Sequence, residues 1–134
     1  MKTLTTCLAS LLLSACNSAP PALTKEIQTE RTKDLAISLM SEKGELAMGK
    51  NQFIVAFRSA ASNEPVDVGS VNVSSAMAMP GMAPMTAPIE LEPVSAKGQY
   101  AAKGDFAMSG AWKFEVRWDG PAGKGSASFN TNVR

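Results

Sequence analysis

From Asp34 onward, apolar and polar residues alternate with period two over most of the chain. That period marks strands with one face turned to a core. Leu35, Ile37 and Leu39 share a face of a first strand, and Phe53, Val55 and Phe57 a face of a second. Val66 and Val68 open a third, which Val71 and Val73 continue with shifted parity. Gly69-Ser70 between them is the place for a bulge, because one extra residue restores the inward face. Ile89 and Leu91 alternate with Glu90 and Glu92 in a fourth strand, and a short fifth centres on Tyr100 within Gln99–Lys103. In the sixth, Trp112, Phe114, Val116 and Trp118 face one way and Lys113, Glu115 and Arg117 the other. Ala127, Phe129 and Thr131 mark the seventh.

Turn residues separate these runs: Glu42-Lys43-Gly44, Asn63-Glu64-Pro65, Lys97-Gly98, Ser109-Gly110 and Asp119-Gly120-Pro121. About seven short strands with one apolar face each predict an all-β, two-sheet antiparallel sandwich, since each sheet must bury its apolar face against the other. About a hundred residues support such a core without staples. Trp112, Phe114, Phe53, Val55, Phe57, Ile37 and Leu91 are its expected interior.

The first residues follow a different logic. Lys2 supplies a positive charge, and Leu8–Ala15 is an apolar run too short to span a bilayer. It ends in Leu13-Ser14-Ala15-Cys16, small residues before a cysteine, which resembles a bacterial lipobox. Residues 1–15 are therefore expected to be a lipoprotein signal peptide, with lipid on the thiol of Cys16. Residues 16–33, polar and opened by Pro20-Pro21, read as a flexible tether in which a short helical turn near Thr24–Arg31 is optional. The domain then occupies 34–134. Asn17 after the cysteine favours the outer membrane, with the domain facing the periplasm.

Losing the leader changes the available chemistry. Cys7 leaves with it, Cys16 becomes the anchor, and no histidine exists anywhere in the chain. A structural zinc site and a blue-copper site both lose their ligands. Twelve basic side chains then balance twelve acidic ones, which argues against nucleic acid, whose partners carry a basic footprint. Without histidine, a free cysteine or a Gly-x-Ser-x-Gly motif, the common nucleophilic sites are missing, and no enzyme is expected. Glu90 and Glu92 share a solvent face, and Gly120-Pro-Ala-Gly-Lys-Gly125 lacks the Walker spacing, so it reads as a hairpin turn.

What remains is sulfur of another kind. Residues 77–85 hold four methionines, Met77, Met79, Met82 and Met85, interleaved with Pro80, Gly81 and Pro84. If seven strands alternate in direction, the connections carrying Met48, the 77–85 loop and Met108 share one end of the sandwich. The chain would then enter at the opposite end, far from them. Thioether sulfur is a soft, neutral ligand that favours Cu(I) or Ag(I) and needs no deprotonation. Met79 and Met82 are the first candidates, then Met77, Met85 and Met108. Two plainer readings stand beside this one. An exposed methionine loop also serves as a protein-docking surface on an envelope partner, and methionines also fill irregular gaps over a core without any ligand. Trp112 and Trp118 alternate with Phe114 at strand spacing and read as core; Trp112 near Met108 also admits a cation–π contact to a bound ion.

Asp34-Leu-Ala-Ile-Ser, Gly49-Lys-Asn-Gln-Phe-Ile-Val, Met79-Pro-Gly-Met, Gly98-Gln-Tyr and Phe106-Ala-Met-Ser-Gly-Ala-Trp-Lys-Phe-Glu-Val follow one another along the chain. In this order they resemble the YtkA-like, or FixH-like, envelope domain over about residues 34–132. Its most specific parts are the Met-Pro-x-Met loop and the Met108, Gly110, Trp112 segment. The resemblance implies an immunoglobulin-like sandwich and, for some members, copper handling in efflux adaptors or oxidase maturation. A lipid anchor here replaces the membrane helix of the FixH type.

Overall fold

The computed structural model describes residues 25–121 and 123–134. The proposed signal peptide, Cys16 and the first part of the proposed tether lie outside those residues. Eight strands form: β1 (Lys25–Arg31), β2 (Leu35–Ser41), β3 (Gly49–Ser59), β4 (Ser70–Met77), β5 (Met85–Pro93), β6 (Gln99–Phe106), β7 (Gly110–Gly120) and β8 (Gly123–Val133). All neighbours are antiparallel, in the order β1-β2-β3-β6-β5-β4-β7-β8. The sheet is continuous and nearly closed, because β1 comes alongside β8 without joining it by a ladder.

The all-β antiparallel expectation stands, whereas the count of about seven strands falls one short. The last part of the expected tether is β1, a strand rather than a coil or helical turn. It pairs along β2 from Lys25↔Ser41 to Arg31↔Ala36, with an irregularity between Glu26 and Gln28. The two halves of the sheet are also joined. β5 pairs with β4 through Met85–Pro88 and then with β6 through Ile89–Pro93. Pro88 sits at the changeover, where its missing N–H costs little.

The inward faces follow the alternation. Ile37, Phe53, Val55, Phe57, Trp112 and Phe114 are buried as expected, while Leu91 is only half-buried. Leu91 lies on the half of β5 that has already parted from β4, so one flank has no strand beside it. Phe106 links the interior aromatics, with ring centroids 5.2 Å from Trp112 and 5.6 Å from Phe114, both edge-on. That is the favoured geometry for aromatic quadrupoles.

The expected bulge at Gly69-Ser70 is instead the end of an irregular crossing. Residues 65–69 run over the end of the sheet, and β4 begins only at Ser70. Gly69 has φ +81° and packs its backbone on Asp119 and Gly120, and that left-handed step resets the side-chain parity. The Tyr100 hydroxyl donates to the Gly69 carbonyl at 2.7 Å, pinning this crossing to β6.

Burial, and then the Asp67 carboxylate, hold the Tyr100 phenol above its ordinary value of 10.0, because both disfavour the phenolate. The folded chain thus keeps a proton that the unfolded chain releases. This contribution to stability is whole below about pH 10 and is lost as pH rises through the folded value. Tyr100→Phe is expected to remove that part of the alkaline decline. An ultraviolet titration of the chain's one tyrosine, folded against urea-unfolded, checks the direction; equal midpoints would refute it.

Candidate functional site: the methionine pole

Strand direction decides where the methionines meet. β2, β4 and β6 run the same way, so the β2–β3, β4–β5 and β6–β7 connections emerge at one end. These carry Met48, the 78–84 segment and Met108, as the sequence predicts. The entry of the chain is reversed from expectation. With β1 added, Lys25 starts opposite Ser41, and Glu26 and Lys25 pack against Gly44 of the β2–β3 connection. The chain therefore enters the fold at the methionine pole, not at the far end.

Each connection has its own support. In the first, the buried Ser41 hydroxyl accepts from the Gly44 and Glu45 N–H groups at 2.9 and 3.1 Å and meets the Glu45 carbonyl at 3.1 Å. Leu46 then plugs the end of the core and bridges to Val133. The Asn51 side chain accepts from the Ala47 N–H at 2.9 Å and donates to the Ala47 carbonyl at 2.6 Å. The Met48 N–H donates to the Arg134 carbonyl at 2.6 Å, while its side chain stays 61% exposed. In the third connection, the Trp112 indole donates to the Met108 carbonyl at 3.0 Å, and the Met108 side chain is 39% exposed.

The middle connection splits its methionines into two layers. Met77 and Met85 face each other at the ends of β4 and β5. Both follow the inward parity of Val73, Ser75 and Ala87 and pack, half-buried, on the core. Gly110 has φ +133°, which favours glycine, and the Met77 methyl lies over it, 2.5 Å from where a side chain would begin. That puts Met77 beside the connection carrying Met108. Beyond them the chain reverses. The Met82 N–H donates to the Met79 carbonyl at 3.1 Å, with Pro80 and Gly81 between and Gly81 at φ +73°. This is a type II turn, for which Pro at the second and Gly at the third position are the favoured residues. It brings Met79 and Met82 to the two flanks of one turn. Met79 is half-buried and Met82 is 70% exposed. Met40 stands apart, on β2 between Glu26 and Ile54.

Ser41, Leu46, Asn51 and Gly110 carry the pole, and sequence reasoning assigned none of them that role. Leu46 left the one usable signal, a large aliphatic residue directly after the polar run Glu42-Lys43-Gly44-Glu45.

Among the described residues no three His, Cys, Asp or Glu side chains are grouped so that they could hold a metal ion. A groove of about 850 Å³ lies beside the pole, on the outer face, lined by Lys50, Glu90, Lys103 and Asp105 among others. Four of its charges oppose each other across the ladder, Lys50 against Asp105 and Lys103 against Glu90, and Glu42, Lys43 and Glu45 add both signs at its edge. A face of matched cations and anions reads as a solvated sheet surface rather than a site for one charged ligand.

Residues 29–117 match the YtkA-like family. The chain belongs to the YtkA-like family. No curated protein matches it. A crystal structure of a DUF4426 family protein from Pseudomonas aeruginosa PAO1 is similar to this YtkA-like chain, with TM-score 0.54 and 18% identity. The similarity covers 79% of this chain and 96% of that one, and at this identity it speaks to the fold alone. The family match takes in the Met79–Met82 turn and the Met108–Trp112 segment, and stops before β8.

Proposed function

We propose that this YtkA-like domain belongs to a lipoprotein of the cell envelope, anchored at Cys16 and facing the periplasm, that binds or hands on Cu(I), with Ag(I) as its soft analogue. The finer fold reading goes with it: an immunoglobulin-like sandwich whose two faces share β5. The protein acts by binding rather than catalysis. The observation that carries the proposal is the Met79-Pro80-Gly81-Met82 turn, closed by its own hydrogen bond with Met82 in solvent. A turn of fixed shape holds two thioethers in a narrow range of separations, and such preorganisation lowers the cost of closing around an ion. Met77 and Met85 lie beneath as a sulfur-bearing floor, and Met77 covers Gly110, two residues after Met108 in the chain. These supply the further soft ligands that a lone pair lacks.

The rival reading is a non-metal module that docks an envelope protein through the same loop, and the exposure of Met48 and Met82 is what favours it. Met79→Leu with Met82→Leu separates the two, because it keeps apolar surface and removes sulfur. The mature chain, carrying Cys16→Ser so that no thiol competes, is titrated anaerobically with Cu(I) against a chelator. Saturable one-to-one binding is expected, weakened more than about 100-fold in the double variant, since even outer-shell losses cost metal sites 10–100-fold. Binding by neither protein sinks the copper reading and leaves docking; equal binding by both removes the Met79–Met82 turn as the site.

A further inference from the structure

Three observations converge on one end of the molecule. Lys25 opens β1 there, against Ser41 and Gly44. Met48, Met82 and Met108 are the exposed large hydrophobic side chains of the described residues, and all three stand on connections at that end. The third is charge. From Gly69 to Ile89 the sequence contains no charged residue, and the middle of that run is the 78–84 connection. A loop without charge enters a less polar medium without paying for ion desolvation.

Chain length says what lies opposite. Eight residues separate Cys16 from Lys25. Fully extended, that span reaches about 30 Å. The eleven-residue strands β3 and β7 are themselves about 35 Å long. The far end of the sheet therefore meets a bilayer only with the tether stretched back along the whole domain. The methionine pole meets it with slack to spare.

We infer that the methionine pole rests on the lipid surface, with Met48, Met82 and Met108 seated at the boundary between headgroups and acyl chains. The occupant of this apolar pole is a phospholipid bilayer. Its rim is mixed in charge, with Lys25, Lys43 and Lys50 beside Glu26, Glu42, Glu45 and Asp105, so apolar contact rather than attraction to lipid phosphates seats it. The inference rests on lipid attachment at Cys16 and not on copper.

The test uses the lipidated mature chain, metal-free, in vesicles of phosphatidylethanolamine and phosphatidylglycerol. With Cys16 acylated, Met82→Cys or Ser62→Cys gives one free thiol for a fluorophore; Ser62 is exposed at the far end. Lipids carrying a nitroxide near the headgroup are the quencher. Quenching several-fold stronger at position 82 than at 62 is expected. Equal quenching at both positions, or the reverse order, overturns the orientation. Wild-type protein that fails to float with the vesicles overturns the anchor instead.

A tether lengthened by about twenty Gly/Ser residues after Thr24 then separates contact from mere reach. Quenching at 82 should survive the insertion, and should fall once Met48→Ser and Met108→Ser are added. Loss on insertion alone overturns the lipid contact. Quenching seen only in native membranes, and not in pure lipid, overturns it in favour of a protein partner.

Discussion

Trp112→Ala is expected to destabilise the domain by about 3–5 kcal/mol, the usual cost of truncating a buried Trp. The indole is only 1% exposed and packs edge-on against Phe106 at 5.2 Å. Small domains are stable by roughly 5–15 kcal/mol, so this single change removes a large part of the margin. The position also has a second duty, since its N–H holds the Met108 carbonyl at 3.0 Å. Trp112→Phe keeps a ring beside Phe106 and drops that bond, so beyond the smaller ring it should lose about 1 kcal/mol more. Urea unfolding followed by the fluorescence of Trp118 measures both. The Phe variant should also speed amide exchange in the 107–110 segment while leaving the 78–84 turn unchanged. An Ala variant that loses less than about 1 kcal/mol would mean that Trp112 is a surface platform and not a core residue.

Most of the sheet is legible because burial on one face imprints period two. The strand that sequence reasoning misses is the one that breaks this rule. In β1 the inward positions opposite Leu39 and Ile37 are Gln28 and Glu30, hydrogen-bonded to each other at 2.7 Å. They face the seam with β8, where polar inward residues discourage pairing with another chain. Lys25–Arg31 therefore reads as a tether, with Ile27 its only large apolar residue. The error propagates, because direction along an antiparallel sheet depends on the parity of the strand count. One missing strand moves the entry of the chain from one pole to the other. The methionine connections themselves survive the miscount, since each is placed by its neighbours in the chain. What alternation cannot separate is Met77 and Met85 from Met82. All three lie in one Pro/Gly-broken run, and only the β4–β5 register turns the first pair inward. Likewise Gly69 mimics a bulge, because a left-handed step and an inserted residue both shift parity.

Gly98→Ala is expected to cost about 3–4 kcal/mol, more than its exposed counterpart, for a reason that lies in the backbone. Gly98 has φ +71°, and an added Cβ would stand 2.5 Å from the Val66 carbonyl oxygen and 2.8 Å from that of Phe57. Those groups are not free to move. Val66 N–H donates to the Phe57 carbonyl at 3.0 Å, and Phe57 N–H donates to the Gly98 carbonyl at 2.8 Å. The three residues tie the end of β3, the 65–69 crossing and the start of β6 into one junction. Left-handed geometry alone costs a non-glycine residue roughly 1–2 kcal/mol, and loosening two backbone hydrogen bonds adds about 1 kcal/mol each. Gly81→Ala isolates the first part, since Gly81 has nearly the same φ, +73°, with nothing within 4 Å of its would-be side chain. It should lose only about 1–2 kcal/mol. Paired urea titrations decide the matter. If the two variants are equally destabilised, strain in φ accounts for both, and the close approach at Gly98 carries no weight of its own. If Gly98→Ala is worse by about 2 kcal/mol, the junction far from the methionines is what fixes β6. Through β6 it also fixes the connection that presents Met108.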